Sequence, residues 1–183
     1  MKKLIILLMC IFLCGCSIIN TDNIEFLNTI QSLTTPELIC NYMKNNFEYG
    51  PPQINANIDY YSIYIYPPDP CLFWKTEIGY CLDFAYFGIF TANYHGYETY
   101  LFKIFFKNTF DIHYLAVYKE NGYYNYSSNQ DYYSINTLNF YKIVEDYFNH
   151  PIIHCDIVYN YKLDYVEIYD YNTNLIEKIY ASW

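Results

Sequence analysis

The chain has 183 residues and a formal charge of −9, contains no arginine, and is 54% hydrophobic and 22% aromatic, with 26 tyrosines. So apolar a composition excludes intrinsic disorder, and an acidic chain without a basic stripe excludes nucleic acid as the expected partner. The length suits one domain with a substantial core. The Tyr, Asn, Ile and Lys bias is what A/T-rich codons produce, so the tyrosines are read first as core and interface filler.

Met1-Lys2-Lys3 forms a positive leader start, and Leu4 to Leu13 is an apolar run of signal-peptide length, too short for a permanent span. It ends in Leu13-Cys14-Gly15-Cys16, which resembles the lipobox of bacterial lipoproteins. The expected layout is a signal peptide over 1–15, a tether over 16–22 with the lipid on Cys16, and one domain over 23–183. Without residues 1–15 the chain keeps 8 Lys against 19 acids, a charge of −11. Anionic lipid repels such a surface, so the lipid on Cys16 would hold the protein to the membrane of the bacterial envelope, facing outward or into the periplasm. Cys40, Cys71, Cys81 and Cys155 stay in the domain. With Cys81 kept as a free thiol, at most one bridge forms among the other three.

A first helix is expected over 23–32. Thr34-Thr35-Pro36-Glu37 reads as the start of a second: a Thr cap, Pro at the first turn and Glu just inside. Leu38, Ile39, Tyr42, Met43 and Phe47 follow at helical spacing, and Gly50-Pro51-Pro52 stops the helix. Tyr60 to Tyr66 suits a strand, and Pro67, Pro68 and Pro70 suit a rigid loop. Cys81, Phe84, Phe87, Gly88 and Thr91 recur at steps of three or four, so 81–93 reads as a buried helix ending at His95-Gly96. Strand composition follows from Gly96, and Asn121-Gly122 between aromatic and β-branched runs predicts a hairpin. Residues 137–148 read as helix, and strands are expected near 155–160, 164–170 and 175–181. Helices followed by sequential strands make an α+β pattern with an antiparallel sheet.

Cys81 at the head of a helix has exposed N–H groups and a positive partial charge beside it. Both favour a thiolate and can receive an oxyanion. Gly79 permits a tight entry, and Asp83 in the first turn can cap N–H groups. Of His95, His113, His150 and His154, His113 is the best placed as base. It shares a strand face with Leu115 and Val117, and that apolar face is expected to pack on the helix. Asn129, beyond the hairpin, can orient the imidazole, with Ser128 and Asp131 as its rivals. His150 and His154 are four apart, but Pro151 breaks the helix that a shared metal would need, so no metal is expected.

The run Gly79-Tyr80-Cys81-Leu82-Asp83-Phe84-Ala85 is followed about thirty residues later by a His that opens an apolar strand. A Gly, aromatic residues and an Asn sixteen residues beyond the His complete the pattern. Together these resemble the transglutaminase-like superfamily over roughly residues 35–130. The resemblance implies a papain-like fold, a Cys-bearing helix packed on an antiparallel sheet, and acyl transfer to or from protein or peptide amides through a thioester. It makes Cys81 the nucleophile, His113 the base and Asn129 the orienter, calls for a second oxyanion donor, for which Trp74 is the candidate, and requires no cofactor. The chain departs from the family at the third position, usually Asp, and after the His, where Tyr114-Leu115 replaces Ala or Val followed by Trp. Protease or amidase action is expected ahead of cross-linking. The alternative is a lipoprotein that keeps the fold as a binding or assembly module with the triad unused.

Overall fold

The computed structural model describes residues 21–51, 68–107, 111–149, 152–154, 157–159 and 162–180. The expected signal peptide over 1–15, Cys16 and the expected strand at 60–66 lie outside them. The chain opens with α1 (Thr21–Ser32), α2 (Pro36–Asn46) and the two-residue β1 (Glu48–Tyr49), then α3 (Pro70–Thr76), β2 (Ile78–Gly79) and α4 (Cys81–Tyr94). Strands β3 (Glu98–Phe106), β4 (Ile112–Glu120), β5 (Tyr123–Ser128) and β6 (Asp131–Thr137) follow, then α5 (Phe140–Asn149). The short hairpin β7 (Ile152–His154) and β8 (Ile157–Tyr159) precedes β9 (Leu163–Asp170) and β10 (Leu175–Tyr180). Among the described residues no helix is long and apolar enough to cross a membrane.

Local chemistry explains the boundaries. Thr35 caps α2 by accepting from the Leu38 N–H at 3.2 Å, with Pro36 in the first turn. Asn121 and Gly122 both have positive φ, the requirement of the tight hairpin turn joining β4 to β5. The Asp69 carboxylate accepts from the N–H groups of Cys71 and Leu72 and so starts α3, where the sequence suggested a proline loop. Strand β6 had no counterpart in the sequence reading.

Six strands form one antiparallel sheet in the order β10-β9-β3-β4-β5-β6, so the architecture is α+β as expected. Both faces are apolar. Leu101, Ala116 and Tyr118 face the layer of α1 to α4, together with Ile30, Ile39, Met43, Phe84 and Phe87. Phe102, Ile104, Leu115, Val117, Tyr126, Val166 and Ile168 face α5, with Ile143, Val144 and Tyr147. Helix α4 lies against β4 at Gly88, where a methyl group would stand 2.4 Å from the Tyr118 hydroxyl and 3.6 Å from the Ala116 Cβ. Glycine is needed there for space. The tyrosine hydroxyl reaches under the helix and meets the Ser127 Oγ at 2.9 Å.

Candidate active site

The approach to Cys81 is built on a second glycine. A Cβ at Gly79 would lie 2.7 Å from the Phe73 ring and 2.8 Å from the Asp83 carboxylate. With no side chain in the way, Asp83 folds back over the helix start and its Oδ2 accepts from the Tyr80 N–H at 2.8 Å. Tyr80 O in turn accepts from Asp83 N and Phe84 N, which closes the first turn. Burial holds the Asp83 carboxyl above its ordinary range, and the bond from Tyr80 opposes it. The capping role expected of Asp83 is present.

Cys81 is the first residue of α4 and is 7% exposed. The thiol points at the start of β4, with Sγ 4.0 Å from the Ile112 carbonyl. The backbone N–H groups of Tyr114 and Leu82 and the Tyr49 hydroxyl lie near enough to favour the thiolate. Ile112 and Tyr114 direct their backbone groups to the same edge of the strand, as alternate residues do. Strand β3 pairs with β4 as far as Ile112 on one side, whereas β5 stops at Ser128, opposite Leu115. The thiol therefore covers the stretch of β4 edge that β5 leaves bare. Burial pushes the Cys81 thiol up to about 11, more than the surrounding N–H groups pull it down, and Asp83 adds to the rise. At neutral pH this thiol is protonated.

His113 lies between the two residues whose backbone meets the thiol. Its Nε2 is 3.0 Å from the Ser128 Oγ, and its ring stacks on Tyr147 of α5 at 5.5 Å and 8°. Here the face assignment needs correcting. His113, Leu115 and Val117 do share a face, but that face packs on α5, and the cysteine helix packs on the Ala116 and Tyr118 face. Both alternating sets are apolar or aromatic, so the strand pattern alone did not distinguish them.

The third position also differs from the expectation. Asn129 sits in the β5–β6 turn with φ 51°, and its Oδ1 is buried with no hydrogen-bond partner. Asp131 pairs with Lys44 at 2.9 Å on the surface. The contact to the imidazole belongs to Ser128. The indole N–H of Trp74 donates to the Tyr42 hydroxyl at 3.0 Å, and its ring packs 5.7 Å from Phe26, so that N–H is already committed.

Tyr147 was missed from sequence. Its only signal is a place on the apolar side of an amphipathic helix, which says nothing about a histidine.

Cys40, Cys71 and Cys81 are unbridged, and Cys155 lies outside the described residues. Cys40 is buried against Ser127 and Tyr118, and burial raises its thiol to about 12. His95 caps the end of α4, with Nε2 2.8 Å from the Ile30 carbonyl. Among the described residues no group of three or more His, Cys, Asp or Glu could hold a metal ion, and the side chains of His150 and His154 lie outside them. No protein-family model matches the chain, and no curated protein matches it.

Proposed function

We propose that the chain is a cysteine-dependent acyl-transfer enzyme of transglutaminase-like type, held to a bacterial membrane by lipid on Cys16. One observation supports this most. The thiol at the head of α4 abuts the β4 backbone on both sides of His113, and Ser128 fixes that imidazole at 3.0 Å. In the proposed reaction the Cys81 thiol loses its proton as sulfur attacks an amide carbonyl, and His113, which stacks on Tyr147 on the α5 face of β4, accepts that proton once its ring turns round the open end of the strand. The C–N bond breaks, the proton passes to the leaving amine, and a thioester remains on Cys81. Water hydrolyses it to the acid and the free thiol; a second amine would give transamidation instead. Hydrolysis is the favoured outcome, as for a protease or amidase. The test is amide hydrolysis by the purified protein and by Cys81→Ala; retained hydrolysis in the variant refutes the assignment.

A second reading has its own support. Cys81 is buried, its thiol is raised to about 11, and the His113 side chain is on the sheet face turned to α5. These features suit a surface lipoprotein that keeps the fold as a binding or assembly module. Absence of any acyl adduct on Cys81, together with partner capture unaffected by Cys81→Ala, would select this reading.

A further inference from the structure

Phe105, Tyr165 and Tyr180 pack into neither of the two cores. The strand register sets them in one row. Ile112 of β4 opposes Phe105 of β3, Phe105 opposes Tyr165 of β9, and Tyr165 opposes Tyr180 of β10. Directly opposed residues share a face, and Ile112 alternates with Tyr114, Ala116 and Tyr118, so this is the face on which α4 lies. The Phe105 and Tyr165 rings stack at 4.3 Å and 18°, and Tyr180 follows at 5.8 Å. The two ends of the row are open to solvent, Ile112 being 37% and Tyr180 64% exposed.

The helix layer ends beside this row. It covers Leu101 and Ala116 and reaches Tyr114 and Tyr169. The uncovered strands beyond therefore form the floor of a groove with the helices as its wall. One end of the groove is the candidate active site, since the Cys81 Sγ is 4.0 Å from the Ile112 carbonyl. Three strand spacings of about 4.8 Å separate Ile112 from Tyr180, which matches about four residues of extended polypeptide.

Charge narrows the occupant. The next row along the strands holds Lys103, Glu167 and Lys178. Glu167 is engaged on both oxygens, by Lys178 at 2.6 Å and by the Tyr169 hydroxyl at 2.6 Å. Lys103 opposes Glu167, yet its contact is the Phe105 ring, 4.9 Å from Nζ, and it forms no ion pair with a described residue. A half-buried ammonium with no carboxylate is out of place in a chain of 10 Lys and 19 acids. The overall charge of −9 repels a polyanion, so the fitting partner is an apolar segment carrying a single carboxylate.

We propose that this groove binds the polypeptide substrate beside the scissile amide, with an apolar side chain against the Phe105, Tyr165 and Tyr180 rings and a carboxylate on Lys103. The proposal rests on the acyl-transfer reading for its biological meaning, and its binding chemistry is measurable without turnover.

The experiment uses the full-length chain in detergent micelles, with protein-free micelles as the blank. The probes are acetyl-Leu-Leu-Glu-amide, the same peptide with Gln for Glu, and acetyl-Ser-Ser-Glu-amide. Binding is read by ligand-observed NMR titration. The Leu-Leu-Glu peptide is expected to bind about fivefold more tightly than either of the others. Lys103→Gln should bring the Glu and Gln peptides level, and Tyr180→Ser should weaken both about fivefold, with Tm unchanged because Tyr180 is largely exposed. Lys103→Met keeps the stem on Phe105 and gives the same reading should the first variant fold poorly. No binding, equal binding of the three probes, or Glu preference that survives the loss of Lys103 would overturn the proposal. So would a dimer in sedimentation velocity that Tyr180→Ser dissociates while no peptide binds, which would give the face to a second copy. Cys81→Ala should bind the probes like the wild type. Hydrolysis persisting in Cys81→Ala with probe preference intact would refute the acyl-transfer reading alone, whereas preference absent with Cys81-dependent hydrolysis intact would refute the groove alone.

Discussion

Replacing Gly88 by alanine tests the contact that sets α4, and with it Cys81, on the sheet. The added methyl would stand 2.4 Å from the Tyr118 hydroxyl, well inside contact distance. That hydroxyl cannot simply swing aside, because it is wholly buried and bonded to Ser127 at 2.9 Å. Either the helix lifts or the hydrogen bond breaks. Overpacking of this kind costs about 1–3 kcal/mol, and the hydrogen bond contributes about 1 kcal/mol. Alanine returns about 1 kcal/mol through its better helix propensity. The expected net loss is about 2 kcal/mol, or roughly 4–8 °C in Tm for a chain of this size. Tyr118→Phe in the same chain removes the clashing oxygen, and the next ring atom is 3.5 Å from the methyl position. A double-mutant cycle by urea unfolding should therefore show a favourable coupling of about 1–2 kcal/mol. Gly88→Ala that is as stable as the wild type, or a cycle with no coupling, would refute the packing argument.

Three further outcomes are expected. Gly79→Ala should destabilise by about 2 kcal/mol and open the first turn of α4, because the new methyl meets Phe73 and the Asp83 carboxylate; faster iodoacetamide labelling of Cys81 together with a lower Tm is the readout. Stability should fall at alkaline pH: the buried thiols of Cys81 and Cys40 ionise near 11 and 12 when folded, against roughly 8.5 when unfolded. The folded state holds these protons more tightly, so the stabilisation is complete below pH roughly 8.5 and is lost as pH rises through the folded values. A urea midpoint that stays flat to pH roughly 10.5 would contradict this, and Cys40→Ala should make the decline shallower. Ser128→Ala should slow acylation of Cys81 about tenfold by freeing the imidazole, with Ser128→Asp restoring it; Asp131→Asn, which loses only a surface ion pair to Lys44, should leave the rate unchanged.

Much of the frame was legible because it depends on local chemistry. Thr35 and Pro36 announce a helix start, His95 and Gly96 a helix end, and Asn121-Gly122 a hairpin, and each does so through backbone constraints that operate over three or four residues. The glycine before Cys81 and the carboxylate after it likewise identified a helix N-terminus. Helix α3 was hidden by its prolines, although Asp69 before Pro70 was its signal. Strand β6, Asp131–Thr137, is interrupted by Ser134 and Asn136 and depends on pairing with β5. The faces of β4 were not legible, because His113-Leu115-Val117 and Tyr114-Ala116-Tyr118 both suit a core. What decides between them is Gly88, thirty residues upstream, which admits Tyr118 under α4. The choice of Ser128 over Asn129 as partner of His113 follows from the same register, since Ser128 shares the α5 face with Tyr126.

The most direct test of the central claim is acylation of the full-length chain by p-nitrophenyl acetate, followed by intact mass and peptide mapping, for the wild type and His113→Ala. The expected result is one acetyl group, carried as a thioester on Cys81 and absent from Cys40 and Cys71, with the adduct strongly reduced in the histidine variant. No adduct on Cys81, or one that forms equally fast without His113, would contradict a Cys81-His113 acyl-transfer centre.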